Sequence, residues 1–85
     1  MITDFELNQI EARCLNASAG PWKSFIEGRD HESGSDFIMT GSDNDIELTG
    51  ATQTDYDFIA NAKQDVPYLI AEIRKLRNEL TVKNH

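Results

Sequence analysis

The densest chemistry in this chain lies in five consecutive residues, Arg29, Asp30, His31, Glu32 and Ser33. An imidazole beside two carboxylates can exchange protons near neutral pH, and the same groups can ligate a divalent cation. Consecutive side chains point in different directions, however, and these lie in a Gly/Ser-rich stretch, which predicts a solvated hairpin tip. A second run spaces Asp43 and Asp45 like the start of a calcium loop. The glycine and the bidentate glutamate that such a loop needs downstream are not at the required positions, so a tight turn is expected. Nucleophiles offer no more. No Gly-x-Ser-x-Gly elbow surrounds any serine. Cys14 lies on an apolar helical stripe, where cysteine usually acts as a small hydrophobe. Cys14, His31 and the terminal His85 share no zinc-ligand spacing. The sequence predicts no catalytic residue, no cofactor and no metal site.

Binding chemistry is better represented. Trp22, Tyr56 and Tyr68, together with Arg74 and Arg77, could line a cleft in a dimer that holds an anionic metabolite or a nucleotide signal. The plainer expectation for Trp22 is core, because it is a lone indole beside a helix stop.

Charge narrows the partners. The chain of 85 residues carries −7. Residues 1–50 hold ten acids against Arg13, Lys23 and Arg29, which accounts for all of it; residues 51–85 balance five against five. Such a surface repels phosphate backbones and disfavours nucleic acid, although Arg74, Lys75 and Arg77 form a local basic cluster. No secretory signal opens the chain and no apolar run approaches membrane-spanning length. With one cysteine, no disulfide can form within the chain, and a cytoplasmic setting is expected.

The elements that must position these residues follow from periodicity. Thr3 and Glu6 have capping-box spacing, and Leu7, Ile10, Cys14 and Leu15 recur at helical intervals up to the stop at Gly20-Pro21. Three short β-type runs over 22–50, separated by turn-forming stretches, predict a three-stranded antiparallel meander. Its expected inner face is Trp22, Ile26, Phe37, Met39, Ile46 and Leu48, with Phe25 competing in the first strand. A final helical region spans 52–82, with Thr54 as the expected N-cap and Phe58, Ile59 and Ala62 on its apolar face. Proline is costly inside a helix, so Pro67 predicts a break or kink near Gln64–Pro67. The whole is one small α+β domain, residues 1–85.

Beyond the proline, Val66, Leu69, Ile73, Leu76 and Leu80 are spaced 3, 4, 3, 4, an a/d seam sustained for about two heptads. One expectation is that this stripe packs on its own sheet. The other is that its far end pairs with a second chain, because a domain this small has too little apolar material to cover it. Leu69, Ile73, Leu76 and Leu80 are therefore the expected interface of a homo-oligomer, a dimer in the first instance.

Two stretches carry a family likeness. "IEARCLNASAGPW" at 10–22 joins a short amphipathic helix to Gly-Pro-Trp, and "DYDFIANAKQDVPYLIAEIRKLRNEL" at 55–80 joins Phe-Ile-Ala to a leucine-rich helix. The pair, covering about half the chain, resembles the small Ead-like proteins of phages and prophages. The resemblance implies a phage-linked cytoplasmic protein and carries no catalytic residues. The resulting expectation is a non-enzymatic interaction protein that self-associates and binds a host or phage protein. Binding of an anionic small molecule is the alternative.

Overall fold

The computed structural model describes residues 1–32 and 34–83, the Lys83 side chain apart. Ser33 and His85, named above, lie outside the described residues. The element order is α1 (Asp4–Asn16), β1 (Lys23–Phe25), β2 (Phe37–Met39) and α2 (Gln53–Lys83), an α+β arrangement.

α1 begins where the capping box predicts. Glu6 N donates to Thr3 Oγ1 at 3.1 Å, and Thr3 N donates to Glu6 Oε1 at 2.9 Å. Two free N–H groups are thereby satisfied, and the Glu6 carboxyl is held below its ordinary range by the Thr3 backbone N–H.

β1 and β2 pair antiparallel, with Ser24 opposite Ile38 and Phe25 opposite Phe37. The expected third strand is reduced to one bridge: Ile38 N donates to Ile46 O at 2.8 Å and Ile46 N to Ile38 O at 2.9 Å. The reason is local. Leu48 N donates to the Tyr56 hydroxyl at 2.9 Å, and that hydroxyl donates back to Leu48 O at 3.2 Å. The backbone after Ile46 thus spends its polar groups on α2, not on a ladder.

The expected inward residues of the second strand are off by one. Ile38 is fully buried, whereas Met39 is exposed and Phe37 only half-buried. A one-residue change of parity exchanges the two faces of a strand. Here the compact Ile38 fits against Ile26, Tyr56 and Ala60, while Phe37 finds cover outside by stacking on Phe25, with ring centroids 5.3 Å apart. Trp22, Ile46, Leu48, Ala51 and Ile59 complete the core as partly buried neighbours.

α2 is one continuous helix of 31 residues with Pro67 inside it, so the expected break is absent. Proline removes one N–H, leaving the Lys63 carbonyl without its usual donor, at a cost of about 3 kcal/mol. Packing on both sides offsets this, since Tyr56 and Ala60 are buried in the sheet core and Ile70 under α1. The N-cap is Thr52, two residues before the expected Thr54: Asp55 N donates to Thr52 Oγ1, and Thr52 N to Asp55 Oδ2. Phe58, expected on the apolar face, stands outside it.

At 1.5 Å per residue, α2 is about 46 Å long. It gives the molecule extents of 58 × 22 × 20 Å and a radius of gyration of 16.7 Å, against about 12 Å for a compact chain of this length. The shape is a small head of sheet and loops on a rod, with α1 antiparallel along one side of the rod.

Candidate interaction surface

The rod has two faces. The first is occupied by α1. Lys63 Nζ donates to Cys14 O at 2.7 Å, Arg74 donates to Glu11 and Asn8 at 2.6 and 2.9 Å, and Arg77 donates to Asp4 at 2.7 Å and to Ile2 O. Leu7 and Ile70 are buried within this clamp. The Arg74 guanidinium is held above its ordinary pKa by the Glu11 carboxylate.

The second face is the predicted seam. Leu69, Ile73 and Leu76 each precede an α1-facing residue (Ile70, Arg74, Arg77), so the seam lies about 100° around the helix from α1. Leu69, Leu76 and Leu80 are 56, 56 and 62% exposed. Val66 and Ile73 are half-buried. Far from packing under the sheet, the leucines form an apolar stripe in heptad register. The flank away from α1 carries Asp65, Glu72 and Glu79, one acid per heptad, of which Asp65 and Glu79 are exposed and Glu72 half-buried.

The five residues of the expected ligand cleft do not come together within the chain. Tyr56 is 3% exposed, with its hydroxyl committed to Leu48. Trp22 is half-buried, donating Nε1–H to Ser18 O at 3.0 Å, with Lys63 Nζ 5.5 Å from its ring centre. Tyr68 is exposed. Arg74 and Arg77 are engaged by α1, and Arg77 lies 21 residues, about 32 Å of helix, beyond Tyr56.

The residues at 29–32 do more than cap a hairpin. Asp30 Oδ2 accepts from Ile26 N at 2.9 Å, closing a turn in which Gly28 takes φ +84°. Arg29 reaches α2 and binds both oxygens of Asp57 at 2.9 and 3.0 Å, and Ser24 Oγ donates to Asp57 Oδ1 at 2.5 Å. Arg29, with help from Ser24, lowers the Asp57 pKa to about 2. A carboxylate so acidic is a poor general base for Ser24, so the cluster acts as a pin joining β1, the turn and α2. Asp57, Gln64 and Lys63 were not singled out by sequence. Their partners lie 28 to 49 residues away, and no local pattern announces such contacts.

The head carries the charge. Residues 22–57 hold nine acids against Lys23 and Arg29, a net of −7 that equals the whole chain. Glu27, Asp43, Asp45, Glu47 and Asp55 are exposed there. Among the described residues, no three metal-ligating side chains converge, and no helix is long and apolar enough to cross a membrane. No protein-family model, curated protein or solved structure matches this chain.

Proposed function

We propose that this protein is a non-enzymatic interaction protein that self-associates through α2 and presents its acidic head to a basic surface of a host or phage protein. One observation carries the reading: leucines 69, 76 and 80 stand more than half exposed in heptad register on a rod that reaches beyond its own head. Exposed apolar stripes of this kind mark interaction surfaces, and knobs-into-holes pairing is the arrangement that a 3,4 spacing favours. The acidic head supports the second half of the reading, since charge complementarity steers partners and selects among them. The likeness to Ead-like proteins supplies the phage setting.

Retrieval from a host lysate tests the binding half. A basic protein should co-purify with the tagged chain at low salt, and be lost in high salt or with D43K/D45K. Capture that is indifferent to both salt and charge reversal contradicts the role of the head.

A further inference from the structure

Resting on that self-association, we infer that the second copy docks parallel to the first, with the two α2 seams in register and both heads at the same end of the rod. The charges flanking the seam decide the direction. Taking Val66 and Ile73 as a positions and Leu69 and Leu76 as d, the g positions are Asp65, Glu72 and Glu79, and the e positions are Ile70 and Arg77. In an antiparallel pair, g faces g, so every heptad register sets acid against acid. In a parallel pair, g faces the e position of the next heptad on the partner, so Glu72 meets Arg77. That arginine uses Nη1 and Nη2 on Asp4 and Ile2 O, and a guanidinium has five N–H donors, so it can donate to a further carboxylate.

The clamp also fits this direction. α1 covers the e flank of each copy, while the g flank lies away from α1. In a parallel pair, each acidic flank faces the partner's covered, arginine-bearing flank, and the two flanks of the interface are equivalent by a twofold axis along the rod. The functional consequence is bivalency. Two acidic heads held side by side at one end engage paired or repeated basic patches with an avidity that a single head lacks.

Spin labels at Gln53, introduced as Gln53→Cys in a Cys14→Ser chain, read the direction. Gln53 is exposed at the head end of α2. A parallel pair places the labels within about 40 Å, whereas an antiparallel pair centred on Ile73 separates them by about 60 Å at 1.5 Å per residue. A long distance overturns the parallel direction and leaves self-association standing. Absence of any dipolar coupling at concentrations where mass doubles also overturns the direction, while absence of both coupling and doubled mass overturns the self-association itself. E72K gives a second reading of opposite sign. It weakens a parallel dimer about threefold or more by facing Arg77 with a like charge, and it strengthens an antiparallel one by relieving the acid row.

Discussion

Gln64 holds Trp22 at both ends of its backbone: Oε1 accepts from Trp22 N at 2.8 Å, and Nε2 donates to Trp22 O at 3.1 Å. A side-chain amide thus supplies the pairing that a neighbouring strand would otherwise give. It fixes the chain immediately before β1, and Nε2 also donates to Ala60 O at 3.1 Å within α2. Gln64→Ala removes both bonds to Trp22, which should cost about 1–3 kcal/mol. At about 4–8 °C per kcal/mol for a chain of this size, thermal melting should fall by several degrees. An unchanged melting temperature would show that the clamp is incidental.

The acid pin sets a pH dependence. Asp57 titrates at about 2 in the fold, held by Arg29 and then Ser24, and Asp30 is lowered chiefly by the Arg29 side chain. In the open chain both titrate near 4. Between these values the unfolded state binds more protons, so the pin's contribution is fully present above about pH 4–5 and is lost as pH falls towards 2. Asp57→Asn should lower the melting temperature at pH 7 and flatten its slope between pH 4 and pH 2. A variant whose slope matches the parent would place the acid sensitivity elsewhere.

Gly41 sits where two backbones touch. Its N–H donates to Ala19 O at 2.6 Å, and an added Cβ would lie 2.8 Å from the Gly20 carbonyl carbon and nearer still to its oxygen. Both obstacles are main chain and cannot rotate aside. Gly41→Ala should therefore destabilise by about 1–3 kcal/mol, as overpacking does, whereas Gly28→Ala meets no neighbour within 4 Å and suffers only from its positive φ. Denaturant unfolding of the two variants compares them. Equal stability of G41A and the parent would contradict the close approach.

Pro67 makes the unbroken helix testable. Alanine there restores the N–H that Lys63 O lacks in a continuous helix, so Pro67→Ala should raise the melting temperature, by up to the equivalent of about 3 kcal/mol. Were residues 64–67 a true break between two helices, the substitution would be neutral or harmful, and helical circular dichroism would show no gain.

Much of this architecture was legible in local pattern. The Thr3–Glu6 box and the 66–80 spacing within α2 each rest on residues a few positions apart and lie where that spacing points, whereas the α1 stripe buries Leu7 but leaves Leu15 exposed. Strand parity was not legible, because three-residue strands are too short for alternation to choose a face, and Phe37 gained cover from Phe25 instead of from the core. The helix break failed for a different reason: tertiary packing of Ile70 and Ala60 overrides a local proline penalty. The ion pairs of Arg74 with Glu11 and of Arg77 with Asp4 were not legible, because the partners lie more than 60 residues apart and only the antiparallel course of α1 brings them together.

Sedimentation of the full chain over a wide concentration range, beside L69E/L76E, tests the seam most directly. Both leucines are more than half exposed in a single chain, so the double variant should keep the parent's circular dichroism while remaining monomeric. The parent should pass from one to two chain masses as concentration rises. A parent that stays monomeric at every concentration, or a variant that associates as strongly as the parent, would contradict self-association through α2.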